Sequence, residues 1–368
     1  MADKLFIGRF TSDGPLLNSA GSSAGDLVQA QIIRELKREI GIDSVHTIVM
    51  EPAHCFPRGK LYIKGKINGD IKFIPFLNLP LIKNIIFSLH IFFYLLKNRT
   101  IDHVLLYNSY LFENMCVLFS RTLFGVGNTI LVQDVRVGSQ FSFFTKLQDR
   151  IANTLLHYFD KIIPINNGIV EYLSLPISKV VVFEGGVESI RIQEELNNDY
   201  VLHDYAVFAG ALEPHNGIDE LIKSWVDKKV NFTLHVFGKG SLSTFLKDLS
   251  KDDENIIIHG MKTQEEVFAY QKYAKFNFCL RNSKGLNEKL FFPSKFFNSA
   301  LCSGELVVND FYGLTLGMKE NTLLLKDDFS NLEHIIYSEY DFSNRKRKRL
   351  LFLRESHCWK VLFNNLYS

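Results

Sequence analysis

Short apolar segments alternate with amphipathic segments along most of this 368-residue chain. Strands and helices that follow one another in this way build a mainly parallel sheet, because parallel neighbours need a crossover between them. The expected strands of a first series lie at 5–7, 45–50, 101–107, 128–134, 161–165 and 179–183. A second series gives 205–210, 233–237, 255–260, 276–280 and 306–308. The pattern predicts an α/β protein with two Rossmann-like domains.

The alternation breaks near Glu184 and gives way to a polar run from Gln193 to Asp199. A chain of this length can hold two domains of ordinary size, each with its own core. We therefore expect a first domain over residues 1–190 and a second over 191–345. Residues 346–368 are expected to form a C-terminal helix that packs back toward the first domain.

Overall charge and cysteine content narrow the protein class. The 42 basic and 40 acidic residues leave a net charge near +2, which argues against a dedicated nucleic-acid binder. The five cysteines are odd in number and form no Cys-x-x-Cys pair, so reduced core thiols in a cytosolic protein are expected. Neither a His/Cys ligand cluster nor a well-placed Asp-x-Asp is present, so no metal and no cofactor are expected. The N-terminus suggests a strand rather than a signal peptide.

Basic residues are concentrated between Arg58 and Arg99, a stretch whose single acid is Asp70. The stretch contains a strongly apolar segment, Leu81 to Leu96, which is too short to span a membrane. This combination suits a protein lying on an anionic membrane face. The alternative is a core helix whose lysines are solvated. The basic run Arg345 to Arg349 is either a second membrane contact or the solvated start of the last helix.

A segment from Pro293 to Gly304 has the features of a short helix before a buried strand. Proline suits the first turn, and glycine is common just after a helix end. Backbone N–H groups at a helix start attract anions, whereas the helix dipole disfavours a lysine there. Lys295 is therefore best explained by a phosphate beside Ser294, with Asn298 one turn further on the same face. The alternative is a solvated lysine on a structural helix.

Several motifs in the second half occur in a family-like order. They are Val207 to Gly210 with Gly217 to Ile222, Val236 to Gly240, His259 to Met261, and Pro293 to Gly304. The set resembles the nucleotide-sugar domain of glycosyltransferase family 4, which has the GT-B fold, and in particular members that assemble bacterial surface polysaccharide. The likeness covers roughly residues 180–310 and is weaker in the first half.

The resemblance implies two domains facing each other across a cleft, with the sugar nucleotide in the second domain and the acceptor in the first. Transfer would proceed with retention and without a metal. The implied donor is a nucleotide-sugar, with UDP preferred, and the implied acceptor is a lipid-linked saccharide in O-antigen or capsule assembly at the inner face of the plasma membrane. Candidate residues follow: catalytic Asn287, Glu288 and Lys295; donor-binding Gly25, Gly210, Glu213, Gly238, Lys239, Met261, Ser294 and Asn298; acceptor-side Asp134 and Arg136.

The chain departs from the family pattern at its charged positions. Ala211 and Asn216 stand where family members often carry an arginine and a lysine that clamp the diphosphate. Leu290 and Asn298 replace the usual pair of glutamates. Lys295, helped by Lys239, would then offset the phosphate charge. Two other classes stay open: a sugar-nucleotide epimerase or isomerase, and a catalytically silent nucleotide-sugar-binding subunit.

Overall fold

The computed structural model describes residues 2–11, 23–68, 71–135, 142–282 and 288–367. The chain divides into two compact units. Unit 1 comprises residues 1–184, 289–291 and 362–368, and unit 2 comprises residues 185–288 and 292–361. The chain thus returns twice to unit 1 after first leaving it.

Unit 1 contains a seven-stranded sheet in the described residues. Its strands are β1 (Asp3–Arg9), β2 (Val45–Met50), β4 (Lys66–Asn68), β5 (Ile71–Phe73), β7 (Ile101–Tyr107), β8 (Gly127–Val132) and β9 (Lys161–Pro164). They lie in the order β4-β5-β2-β1-β7-β8-β9, and all neighbours are parallel except β4 and β5. A small antiparallel ladder joins β3 (Tyr62–Ile63) to β6 (Phe76–Leu77).

The helices of unit 1 follow the strands as crossovers. They are α1 (Ser23–Ile40), α2 (Ile82–Lys97), α3 (Leu111–Phe124), α4 (Phe143–Leu155) and α5 (Asn167–Leu173). The parallel part of the sheet reverses its winding between β1 and β7. In open α/β sheets, ligands bind beyond the carboxyl ends of the strands at such a switch point.

Unit 2 repeats this plan with six parallel strands. They are β10 (His203–Ala209), β11 (Thr233–Phe237), β12 (Ile256–Gly260), β13 (Ala274–Phe278), β14 (Glu305–Asn309) and β15 (Leu323–Leu325). Their order, β12-β11-β10-β13-β14-β15, puts the switch point between β10 and β13. The core on one side of this sheet is built around Trp225 and Phe276, which are fully buried.

The remaining helices belong to unit 2 or begin in it. They are α6 (Ser189–Leu196), α7 (Ile218–Asp227), α8 (Ser243–Leu249), α9 (Gln264–Tyr273), α10 (Lys295–Ala300), α11 (Leu316–Glu320), α12 (Leu332–Tyr337), α13 (Phe342–Ser356) and α14 (Trp359–Tyr367). Within the described ranges, none of the helices combines the length and hydrophobicity needed to span a bilayer.

One expected strand, 179–183, is absent as a full strand. Val180 forms an isolated parallel bridge with Ile162, and the N–H groups of Val181 and Phe183 donate to Ile162 and Pro164 of β9. In a parallel ladder the return bond to the carbonyl of Val181 would come from the N–H of residue 164. Proline has no N–H, so the ladder stops there.

The helix expected to run up to Gly304 is shorter than the sequence predicts. It ends at Ala300, and Gly304 lies beside the first residues of β13 instead. A Cβ on Gly304 would lie 2.0 Å from the carbonyl oxygen of Ala274. Glycine is required here by the close approach of two backbones and not by a helix end.

The structure also corrects the expectation that the basic run at 345–349 is solvated. Arg349 is buried and donates to the carbonyl oxygens of Ala300, Cys302 and Gly304, at 2.9, 2.7 and 2.7 Å. Lys346 is buried as well. Only part of the run is solvated, because α13 packs this side of its surface on unit 2.

Candidate functional site

The loops that follow β10, β11 and β12 are joined by backbone hydrogen bonds. Gly210 N–H donates to Phe237 at 2.8 Å, and Gly238 N–H donates to Gly260 at 2.8 Å. Leu212 N–H donates to Lys239 at 3.0 Å. These contacts bring the predicted donor residues Gly210, Gly238 and Lys239 together at the carboxyl edge of the second sheet.

Gly238 is required by its backbone. Its φ is +135°, and a Cβ would lie 1.7 Å from the carbonyl oxygen of Gly210. Side chains are excluded from such a conformation, so only glycine lets the two loops approach this closely.

Gly210 serves a different purpose, since its φ is not positive. A Cβ at this position would lie 1.5 Å from Nζ of Lys295 and 2.7 Å from its Cε. The missing side chain leaves the space that the lysine ammonium occupies. Two residues selected from the sequence, 85 positions apart, therefore meet at the switch point of the sheet.

The ammonium of Lys295 lies in a partly buried, cationic environment. Burial lowers its pKa to about 8, and the neighbouring Arg281 guanidinium acts in the same direction. In the ion pairs found among the described residues, Lys295 has no acidic partner. A lysine held without a carboxylate is suited to meet the charge of a bound anion.

Arg281 is the cation that sequence reasoning missed. It lies three positions beyond the end of β13. Its backbone is fixed by Asn309 at the end of β14: the Arg281 N–H donates to Asn309 Oδ1 at 2.8 Å, and Asn309 Nδ2 donates to the Arg281 carbonyl at 2.8 Å. Burial lowers the pKa of the guanidinium, which stays protonated near neutrality. In the sequence, Arg281 is marked only by its position shortly after an expected strand. That position indicates a role in the site only when β13 is known to lie beside β10.

His215 and Glu213 complete the surroundings. Burial lowers the pKa of His215, and Arg281 and Lys295 lower it further while Glu213 opposes them. The Glu213 carboxylate accepts hydrogen bonds from Ser241 N–H at 2.8 Å and from its hydroxyl at 2.5 Å. Glu213 thus ties the loop after β10 to the start of α8.

Asn216, one of the four positions that depart from the motif pattern, has a structural role. Asn216 is buried, and its Nδ2 donates to the Ala211 carbonyl at 2.8 Å. It stabilises its own loop. Positive charge at this switch point comes from Lys295 and Arg281, both of which follow β13 in the chain.

The other predicted donor and catalytic residues are more dispersed. Ser294 is exposed, and Met261 is 53% exposed in the turn after Gly260. Asn298 Oδ1 lies 3.4 Å from Nη1 of Arg191 on α6, which engages it within unit 2. Glu288 is exposed in the single turn at 288–290. Asn287 lies outside the described residues.

The first unit has its own polar cluster at the carboxyl edge of its sheet. Asp134 follows β8 and receives a hydrogen bond from Nδ2 of Asn108 at 3.3 Å. Desolvation by the surrounding protein raises the pKa of the Asp134 carboxyl, and the hydrogen bond from Asn108 opposes this shift. Gly25 lies in the first turn of α1, where its carbonyl accepts from Gln29. Arg136 lies outside the described residues.

A second residue that the sequence did not single out is Arg9, at the end of β1. Its guanidinium is paired with the buried carboxylate of Glu113 and lies 3.6 Å from the ring centroid of Tyr110. Gln29 bonds both the N–H and the carbonyl of Arg9, which holds α1 against the strand end. In the described part of the chain, no group of three or more His, Cys, Asp or Glu residues is arranged to hold a metal ion.

Solved structures with the same architecture are numerous. Anabaena HepE in complex with UDP is 13% identical, with a TM-score of 0.63 over 99% of this chain and 98% of that one. The lipopolysaccharide outer core galactosyltransferase WaaB, in its apo form, is 12% identical, with a TM-score of 0.60 and the same coverage. This chain has the GT-B fold. The fold class expected from the sequence is confirmed.

Other glycosyltransferases share the fold at full length. Apo OtsA is 10% identical, with a TM-score of 0.63, and the alignment covers 100% of this chain and 99% of the OtsA chain. No protein-family model matches the chain, and no curated protein matches it in sequence. The structural neighbours include nucleotide-sugar glycosyltransferases, some with UDP or UDP-glucose bound.

The contact between Gly210 and Lys295 makes a specific prediction. Gly210→Ala is expected to displace the lysine ammonium, because only the end of a flexible side chain stands in the way. At the UDP site proposed below, the displaced ammonium would weaken UDP binding about tenfold. The free energy of unfolding should change by less than about 1 kcal/mol. Titration calorimetry and urea unfolding measure the two effects. In a Lys295→Met background the same glycine substitution should have no further effect on UDP affinity, and an additive loss would contradict the contact.

Proposed function

We propose that this protein is a glycosyltransferase that transfers a sugar from a nucleoside diphosphate sugar, with UDP as the preferred nucleotide. The observation that carries the proposal is the position of Lys295 beside Gly210, with Arg281 next to it, at the carboxyl ends of β10 and β13. The switch point of a Rossmann sheet is where such folds bind nucleotides. The UDP complexes of the structural neighbours support the choice of nucleotide.

Transfer requires stabilisation of the diphosphate as it leaves the sugar. Preorganised cations in a partly buried site stabilise that charge, and each such contact contributes roughly 10²–10³ to the rate. In the proposed mechanism Lys295 and Arg281 perform this task, and transfer proceeds with retention and without a metal. Retention rests on the resemblance to family 4. Glu288 and Asn287 are proposed to approach the transferred sugar, and Asn298 a ribose hydroxyl.

We propose a lipid-linked saccharide as the acceptor, in the assembly of a cell-surface polysaccharide such as O-antigen or capsule, at the inner face of the plasma membrane. The resemblance to surface-polysaccharide enzymes supports this choice, as does the likeness in fold to WaaB. Asp134 and Arg136 are proposed to contact the acceptor from the first unit.

The test is a two-stage assay on the purified protein. A thermal-shift screen with UDP-, GDP-, ADP- and dTDP-sugars identifies the nucleotide, and release of free nucleoside diphosphate is then followed with and without lipid-linked saccharides, in the presence of EDTA. Release that depends on the acceptor supports transfer. Conversion of the sugar nucleotide without acceptor would indicate an epimerase or isomerase, and binding without turnover would indicate a silent subunit.

The charge of Lys295 predicts how activity depends on pH. Because its pKa is about 8 in the free protein, the Lys295 side chain is charged below pH 7 and loses its positive charge as the pH rises through 8. The value of kcat/KM for the donor should therefore fall between pH 7 and 9. Lys295→Arg, whose guanidinium stays charged, should retain a flat profile over this range. An identical fall in both proteins would assign the pH dependence to another group.

A further inference from the structure

Helix α2 is apolar on two opposite sides. One side packs into the core of unit 1 through Phe87, Ile91 and Leu95. The other is an exposed stripe in which every side chain is at least 40% accessible: Ile82, Ile85, Leu89, Phe93 and Leu96. Their spacing of three and four residues keeps all five on one face of the helix. Helices of soluble domains are normally polar on such a face.

The neighbouring helix α3 continues this surface. Met115, Phe119 and Leu123 are each more than half exposed and recur every four residues. Phe92 of α2 has its ring 5.8 Å from that of Phe119, so the two stripes adjoin. Contiguous apolar surface of this extent is rare on a soluble monomer and marks an interaction site.

A groove of about 500 Å³ opens between α2 and β5. Its walls are mainly apolar and include Ile74, Ile86, Leu89 and Phe93. The described residues that line it include two lysines, Lys72 and Lys97, both exposed, and no acid. Such a groove can receive a hydrocarbon chain, with a phosphate between the two ammonium groups.

The charges of this face are of one sign. Helix α2 carries Lys83 and Lys97 and no acid, and the single acid of α3, Glu113, is buried against Arg9. An apolar surface bordered by lysines complements an anionic lipid headgroup. A second copy of the chain would bring lysine against lysine, which disfavours self-association.

We propose that the exposed faces of α2 and α3, together with the groove at β5, are a docking surface for an anionic phospholipid bilayer. The apolar stripes enter the headgroup region, and one acyl chain enters the groove while its phosphate lies between Lys72 and Lys97. The inference rests on the proposed function only for its purpose, which is to bring the enzyme to a lipid-linked acceptor. None of the residues of this surface belongs to the candidate donor site.

Phe93→Trp provides a direct reporter. The two native tryptophans, Trp225 and Trp359, are fully buried, so the new indole dominates any change in fluorescence. With vesicles containing phosphatidylglycerol, we expect a blue shift and quenching by lipids brominated on the acyl chain. Vesicles of phosphatidylcholine alone should give neither at physiological salt. Binding without acyl-chain quenching, or no binding to the anionic vesicles, would overturn the proposal.

Flotation assays separate charge from hydrophobic contact. Lys72→Ser with Lys97→Ser should lower the affinity for anionic vesicles about tenfold or more, whereas Lys223→Ser with Lys247→Ser, exposed lysines of unit 2, should leave it unchanged. Leu89→Gln should also weaken flotation. Its control is Ile177→Gln, 84% exposed beside β9 at the opposite edge of the sheet. Equal effects in test and control variants would overturn the assignment.

Two further arms decide between occupants of the surface. If the protein floats only with phosphatidylcholine vesicles that contain a polyisoprenyl phosphate, the groove binds the lipid of the acceptor, and the proposal of a bilayer-docking surface is overturned. A concentration-dependent dimer abolished by Leu89→Gln would overturn it in favour of a second copy. UDP affinity is measured on every variant. A variant that loses flotation but still binds UDP shows that the surface acts independently of the donor site. Absence of UDP binding in the wild type would contradict the proposed donor site and would leave the membrane surface unaffected.

Discussion

Replacing Lys295 with methionine is expected to remove most sugar transfer while making the protein harder to unfold. The ammonium is the principal cation beside Gly210, so its loss should lower kcat by roughly 10²–10³-fold. Methionine has a similar length and no charge, and it fills the same space between the loops. Steady-state kinetics and thermal unfolding measure the two effects on one variant.

The gain in stability follows from the direction of the pKa shift. Burial lowers the pKa of Lys295 from its ordinary value to about 8, so the folded state carries a cost for the charge at pH 7. Removing it should raise the free energy of unfolding by about 1–2 kcal/mol, allowing for partial exposure. The cost is fully present below pH 8 and disappears as pH rises toward the unfolded value, so the gain should shrink over that interval. The exposed Lys223→Met serves as the control and should change neither activity nor stability appreciably. A destabilised Lys295→Met would contradict the account.

Replacing Arg349 with alanine is expected to destabilise unit 2 by about 3–5 kcal/mol. The guanidinium satisfies three carbonyl oxygens at the end of α10 and the start of β14, and it lies 3.8 Å from the buried carboxylate of Glu305. Truncation leaves these acceptors without their donor and Glu305 with Arg345 as its remaining cation. Urea unfolding measures the loss.

Arg347 provides the matched control, because it lies on the same helix and is exposed. Arg347→Ala should change the free energy of unfolding by no more than about 0.5 kcal/mol. Similar values for the two variants would contradict a structural role for Arg349. Since the carbonyls it binds end the segment that carries Lys295, a partly folded Arg349→Ala protein should also bind UDP weakly.

Much of the fold was accessible from the sequence because its pattern is local. Strands such as 45–50 and 101–107 were predicted at the bounds that the structure has, since each is a largely apolar segment between turn signals. The segment at 179–183 has the same composition, but a proline on its neighbour prevents the ladder from continuing. Pairing partners decide such cases, and they are distant in sequence.

The candidate site was predicted in part for a similar reason. Gly210, Gly238 and Lys295 belong to recognisable motifs, and the structure brings them together. Arg281 belongs to no motif, and it gains meaning only from the order of strands, which places β13 beside β10. Arg349 belongs to a basic run, and composition does not tell that two of its five cations, Lys346 and Arg349, are buried.

The most direct test of the account is a calorimetric titration of wild type and Lys295→Met with UDP and with uridine. The Lys295 ammonium is expected to lie against the diphosphate, and a hydrogen bond to a charged group contributes about 1.5–3 kcal/mol. UDP affinity should therefore fall by about 10–100-fold in the variant, and uridine affinity should be the same in both proteins. Unchanged UDP affinity, or an equal loss for uridine, would contradict a phosphate-binding Lys295.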